Sequence, residues 1–137
     1  MYKINYELGD VTNGTKTIIA QFDTKTIIVQ FEYMRKYDHM DYASAIRWCT
    51  SINGVLPVPT SEEENDFLYQ LGSTWLGVQT DNMSTVHWTN WKNGEPNGDG
   101  IYVHLVKEFD GQWNDINLEG GWLFETGTTC YTRVTGN

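Results

Sequence analysis

The chain has 137 residues, a length that suits one domain built on a single core. Its formal net charge of −9 argues against nucleic acid, which needs clustered Lys and Arg, and against an anionic membrane surface. No run is long and apolar enough to span a bilayer, so membrane insertion is not expected, and the first six residues contain no apolar stretch of a secretory leader.

The amino-terminal third reads as strands. Thr15-Lys16-Thr17-Ile18-Ile19-Ala20-Gln21-Phe22-Asp23 is followed at once by Thr24-Lys25-Thr26-Ile27-Ile28-Val29-Gln30-Phe31-Glu32, a tandem nine-residue repeat rich in β-branched residues. Alternation places Ile18, Ala20 and Phe22 on one face and Ile27, Val29 and Phe31 on the matching one. Two copies are too few for a solenoid, so the plain reading is two strands; a sharper one is an element for oligomerisation or anchoring, since edge strands of this type invite pairing. Asn13-Gly14-Thr15 and Asn82-Met83-Ser84 match the glycosylation sequon, a frequent chance match.

Asp41 is placed to cap a helix that runs to about Ile52, with Ala45, Ile46, Cys49 and Ile52 as its apolar stripe and Asn53-Gly54 as its stop. A second helix is expected after a capping box of Thr60 and Glu63, with Glu62, Glu63 and Glu64 at the positive end of its dipole and Gly72 at its end. Those acids belong to a helix start rather than to a metal site. From Trp75 onward the pattern is short strands separated by long polar loops, with turn chemistry at Asn93-Gly94 and at Asn97-Gly98-Asp99-Gly100.

Two of those loops carry chemistry. Glu95-Pro96-Asn97 and Trp113-Asn114-Asp115 each set a carboxylate beside a side-chain amide, next to a tryptophan or within reach of one. Two carboxylates and two amide oxygens suit a hard cation such as Ca²⁺, which takes six to eight oxygen ligands. An Asn on such an ion turns its oxygen to the metal and keeps N–H donors for another partner, so the set offers donors and acceptors to a polyol. Either tripeptide alone also fits an ordinary turn. The two cysteines, Cys49 and Cys130, are by spacing alone either buried thiols or one bridge.

The ordered set Trp75-Leu76-Gly77-Val78, Trp91-Lys92-Asn93-Gly94-Glu95-Pro96-Asn97, Tyr102-Val103-His104-Leu105, Trp113-Asn114-Asp115 and Cys130 resembles the C-type lectin domain, with both helices in place upstream. The resemblance covers residues 31–134. It implies an α+β, C-type lectin-like fold: two helices flanking short antiparallel sheets, with a long loop region that carries the site. The lectin-like domain is expected over residues 28–137, after a strand extension over residues 1–27.

The resemblance also implies a Cys49–Cys130 disulfide and a cis Glu95–Pro96 bond. It further implies one Ca²⁺ ligated by Glu95, Asn97, Asn114 and Asp115. The Glu-Pro-Asn form goes with mannose-type sugars (mannose, glucose, N-acetylglucosamine or fucose), bound through Glu95, Asn97, Asn114 and Asp115 with no catalysis. The expected partners are glycans with such terminal sugars, and the expected location is extracellular, secreted or displayed on a cell or virion surface. Single sites of this kind are weak, so a homo-oligomer would supply avidity.

Three departures from the family pattern stand out. The acid that usually follows the Glu-Pro-Asn loop is missing, and Asp99 is the nearest substitute. The accessory calcium position at Asp81 has Thr85 as a poor partner, so one ion is expected, not two. The stretch from Asp115 to Cys130 is long, and its Trp122 fits either the core or a sugar platform. The family's second disulfide is absent as well, with Tyr102 and Leu118 near its place. Two competing functions remain: a non-sugar module on the same fold, such as a protein-receptor binder, an ice-binding domain or a viral fibre tip, and an enzyme. The second is disfavoured because nothing in the sequence groups His39, His87 and His104 with a free thiolate.

Overall fold

The structure, a computed structural model, describes residues 2–8, 15–23, 28–117 and 126–135. In chain order these form β1 (Tyr2–Leu8), β2 (Thr15–Asp23), β3 (Ile28–Lys36), α1 (Tyr42–Ser51), α2 (Glu62–Leu71), β4 (Thr74–Gln79), β5 (Tyr102–Val106), a short 3₁₀ turn (Lys107–Phe109), β6 (Gln112–Ile116) and β7 (Thr128–Thr135). One antiparallel sheet has the order β1-β2-β3-β7, and a second has the order β4-β5-β6. Two helices with short antiparallel sheets make the α+β, C-type lectin-like architecture that the sequence pattern implies.

The first repeat copy is β2 itself. β3 begins inside the second copy and continues past it to Lys36, so that Ile18, Ala20 and Phe22 face Tyr33, Phe31 and Val29 across the pair. Ile18, Ala20 and Phe22 are all buried, in a core they share with Phe67, Leu76, Val103 and Trp113. Aromatic rings close this core: Tyr33 lies 4.6 Å from Phe67, and Phe22 meets Phe67 edge-on at 5.9 Å. Ile27 and Trp122 fall outside the described residues, as does Leu118.

Asp41 caps α1, its carboxylate accepting from the Ser44 N–H at 2.8 Å. Asn53 takes the left-handed conformation (φ 60°) and the Gly54 N–H returns to the Cys49 carbonyl at 2.8 Å, which ends the helix where the sequence placed its stop. The apolar stripe of α1 is narrower than expected: Ala45 and Cys49 are buried, whereas Ile46 is exposed. The N-terminal cap of α2 lies one residue later than the sequence suggested. Ser61 accepts from the Glu64 N–H, and Glu64 reaches back to the Thr60 hydroxyl at 2.7 Å. The box needs an acid at the third helical position, and with Ser61 as cap that acid is Glu64 rather than Glu63.

The N–H of Ser44 and its hydroxyl hold the Asp41 carboxyl below the usual carboxylate range, with Arg47 adding to the effect and slight burial opposing it. A group depressed in the folded state stabilises above its unfolded pKa, and the benefit is lost as pH falls through the folded value. Asp41→Ala is therefore expected to lower stability by about 1 kcal/mol at pH 7 in urea unfolding, with the difference from wild type shrinking as the pH is taken below about 4.

Cys49 and Cys130 form a disulfide, with Cα atoms 5.5 Å apart across 81 residues of chain. It joins α1 to β7 inside a second core cluster that includes Ala45, Leu56, Trp75 and Ile116. Tyr102 packs on Tyr42 at 4.5 Å, joining β5 to α1.

Candidate metal and ligand site

β6 is the platform of the site. Trp113 is fully buried on it, edge-on to Trp91 at 5.7 Å and to Trp88 at 6.0 Å. Its backbone holds the incoming loop: the Trp113 N–H donates to the Asn90 carbonyl at 2.8 Å, and the Lys92 N–H donates to the Trp113 carbonyl at 3.0 Å. Its indole N–H donates to Asn65 Oδ1 at 2.8 Å, and the Asn65 amide donates to the Gly111 carbonyl at 3.0 Å. A buried Asn on α2 thus fixes the tryptophan that precedes Asn114 and Asp115.

From Lys92 the chain turns through Gly94 (φ 90°), with the Glu95 N–H bonded to the Lys92 carbonyl at 2.8 Å, and the Glu95–Pro96 peptide is cis. The loop then folds over Asp115. One carboxylate oxygen of Asp115 accepts from the Asn97 N–H at 3.1 Å, the other from the Gly98 N–H at 2.9 Å. Asn97 Oδ1 accepts from the Asp99 N–H at 3.1 Å, an Asx turn that leaves that oxygen further lone-pair capacity. These contacts bring Glu95 and Asn97 to Asp115, and Asn114 precedes Asp115 on β6.

Gly100 lets the loop lie against the end of β6. A Cβ there would overlap the backbone N of Asn117 and the carbonyl of Ile116. Gly100→Ala must lift the loop off β6, and the expected result is a stability lower by about 1–3 kcal/mol in urea unfolding, with near-UV circular dichroism showing the domain still folded.

The electrostatics leave room for a cation. Burial raises the Glu95 pKa, the hydrogen bond with Asp115 adds to this, and the charges of Asp115 and Asp99 add further; the N–H of Asn97 opposes them. Burial pushes the Asp115 carboxyl up, but the hydrogen bond from Glu95 and the backbone N–H groups of Asn97, Gly98 and Asp115 itself outweigh it, so the net direction is downward. The two carboxyls are thus pushed in opposite directions, Glu95 upward and Asp115 downward. Glu95 Oε1 is buried without a hydrogen-bond partner. Two neighbouring acids with one oxygen left without a partner, and Asn97 and Asn114 near them in the chain, are oxygen chemistry of the kind a hard divalent cation takes.

His104 lies opposite Asn114 in the β5–β6 register and is fully buried, stacked on Trp75 at 5.5 Å. Its Nε2 is 3.1 Å from Asn114 Nδ2, and its Nδ1 is 3.1 Å from the Thr126 hydroxyl. Burial lowers the imidazole to about 4, against the pull of the Asp115 charge, so the ring is neutral at pH 7. His39 and His87 are exposed and lie far from this strand in the chain.

Asp99 touches the site through its charge on Glu95 and its N–H to Asn97. Among the described residues no three His, Cys, Asp or Glu side chains converge as a metal-holding group, and the two acids that interact directly here are Glu95 and Asp115. Sequence reasoning missed Asn65, Gly100 and the link from His104 to Asn114. Asn65 was detectable as a polar residue on the apolar face it shares with Leu68; the other two depend on which backbone and strand lie opposite. A separate open cleft of about 980 Å³ lies between α2 and the Trp88–Asn90 segment, lined by Glu62, Asp66, Tyr69, Trp88 and Asp110 among others, and none of the candidate ligands line it.

A C-type lectin-like scaffold that presents an oxygen-rich cluster on its loops defines a binding module of the C-type lectin class, whose members are in general non-catalytic. The "Lectin C-type domain" family model matches residues 38–120, more than half of the chain, and the chain belongs to that family. Over 98 residues it is 34% identical to the low affinity immunoglobulin epsilon Fc receptor of Mus musculus, a match that takes in 60% of this chain and 30% of that protein.

Among solved structures, the cow C-type carbohydrate-recognition domain of CD23, determined in the presence of GlcNAc2Man3 oligosaccharide, superposes with a TM-score of 0.64 at 22% identity. That superposition covers 84% of this chain and 98% of that one. The human scavenger receptor C-type lectin carbohydrate-recognition domain gives 0.60 at 18% identity, over 83% and 96% of the two chains. Herring type II antifreeze protein gives 0.63 at 16%, over 77% and 92%.

Proposed function

We propose that this domain binds carbohydrate through a single Ca²⁺ held by Glu95, Asn97, Asn114 and Asp115, with Asp99 as the outlying contributor. The observation that carries this reading is the buried, unpartnered Glu95 Oε1 beside a second carboxyl. An ion held there would supply positive charge to two vicinal sugar hydroxyls, and the residues around it would sort those hydroxyls. Glu95 accepts from one hydroxyl, and the amide N–H groups of Asn97 and Asn114 donate. An acid followed by an amide across the proline sets an acceptor before a donor, the order associated with mannose-type sugars. Trp122, the remaining candidate for sugar contact, lies outside the described residues.

No catalysis enters this mechanism. Family membership and the match to a receptor support a role outside the cell, where glycans are displayed, with several copies giving avidity. The likeness to an antifreeze protein supports a second reading, a non-sugar ligand on the same fold.

A glycan array run in calcium and in EDTA separates these readings. The expected result is retention on mannose-type glycans that EDTA abolishes, and loss of that retention in Glu95→Gln combined with Asn97→Asp. Undiminished mannose binding by the double variant sinks the specificity assignment. Binding indifferent to EDTA sinks the metal.

A further inference from the structure

We propose that His104 is a positioning residue for the metal site, holding the Asn114 amide so that its oxygen faces the ion; this rests on the calcium reading given above. A primary amide has two orientations of nearly equal shape, and only one of them turns oxygen to a cation. Asn114 is buried at 7% exposure, so its inward half has little access to water and needs a protein partner. That partner is His104 Nε2, 3.1 Å from Nδ2.

For the amide to donate there, Nε2 must be the bare nitrogen of the ring. The proton then sits on Nδ1, which donates to the Thr126 hydroxyl 3.1 Å away. The relay is held at its Thr126 end and at the ring. The Met40 N–H bonds to the Thr126 carbonyl at 3.1 Å, and the Trp75 indole N–H bonds to the Met40 carbonyl at 2.8 Å, while the Trp75 ring lies parallel to the imidazole. His104 thus reaches the site through Asn114 and sits beneath it, on the strand next door.

One amide N–H of Asn114 is spent on the ring and the second stays available for a sugar hydroxyl. His104 thereby sets both what Asn114 offers the metal and how many donors it offers the ligand. Outer partners of metal ligands are worth roughly ten- to a hundredfold in affinity.

The test is calcium titration by calorimetry on wild type, His104→Phe and His104→Gln, with thermal unfolding in EDTA to confirm that each variant folds. It is joined to long-range ¹H–¹⁵N spectra of the imidazole. Phe preserves the stack on Trp75 and removes the acceptor, so calcium affinity should fall about tenfold or more. Gln carries an amide oxygen that accepts from Asn114, so most of the affinity should return, a rescue that a merely space-filling role would not produce. The wild-type spectra should show Nδ1 protonated and Nε2 bare.

Calcium affinity in His104→Phe within twofold of wild type overturns the inference and leaves the calcium site standing, as does a proton found on Nε2. A wild-type domain that takes up no calcium overturns the site itself, and the inference with it.

Discussion

Asp115→Asn should lower calcium affinity by at least about a hundredfold, close to 2.7 kcal/mol, while leaving a folded domain. Asp115 is the residue on which the two motifs converge. It is fully buried, and both its oxygens are already committed to N–H groups of the Glu-Pro-Asn loop. A bound ion therefore meets a carboxylate whose position is fixed by two backbone donors, with no side-chain entropy left to lose on binding. Asn is nearly isosteric, so packing is preserved, but the change removes a full negative charge from the ion's surroundings.

It also turns an NH₂ toward one of two N–H groups that need an acceptor. An unsatisfied buried donor costs about 1–3 kcal/mol, so the metal-free variant should unfold at a measurably lower urea concentration. Isothermal titration with Ca²⁺ reads the first effect and urea unfolding in EDTA the second. Retained affinity would show that Asp115 braces the loop and that the ion, if bound, lies elsewhere.

The four residues proposed as ligands stand out in the sequence because their chemistry is local. An acid, a proline and an amide in one loop, and an amide and an acid after a tryptophan, carry their meaning in adjacent positions. The family order then says that the loops meet. The helix ends were legible for the same reason: Asp41, Asn53 and Gly72 act within one turn of where they stand. The capping box slipped by one residue because Thr60 and Ser61 are both competent caps, and adjacent glutamates follow at the right distance from each. Only the register of the helix decides between them.

What supports the site was not legible, because it runs across strands and between elements. His104 reads as one more inward residue of an alternating strand until the β5–β6 register sets it opposite Asn114. Asn65 is 48 residues from the indole it holds. Gly100 looks like turn chemistry, and its actual constraint is the backbone of Ile116 and Asn117 against its α-carbon. Each is a distant contact with no signature at the residue itself.

The disulfide gives the largest expected change in stability. Removing it as Cys49→Ala with Cys130→Ala should lower the unfolding free energy by about 4 kcal/mol, from the loop closed across 81 residues in the chain-entropy model. Both sulfurs are buried in the cluster with Ala45, Leu56, Trp75 and Ile116, so the two small voids left behind add to the loss. That cluster reaches the site: Ile116 follows Asp115 directly, and Trp75 stacks on His104. Tyr102 on β5 meets Tyr42 on α1 through a ring contact that is non-covalent and restrains the unfolded chain not at all. Among the described residues Cys49–Cys130 is thus the one covalent restraint on the scaffold beneath the loops. Urea unfolding of the double variant in EDTA measures the cost directly. On the calcium reading proposed above, with the ion taken up only by the folded chain, saturating the variant should return part of the lost stability, by about 2.7 kcal/mol at a hundred times its dissociation constant. A double variant that unfolds at the wild-type midpoint would mean that the second cluster holds α1 to β7 by packing alone. One that loses stability but gains nothing from calcium would place the fault in the metal site rather than in the staple.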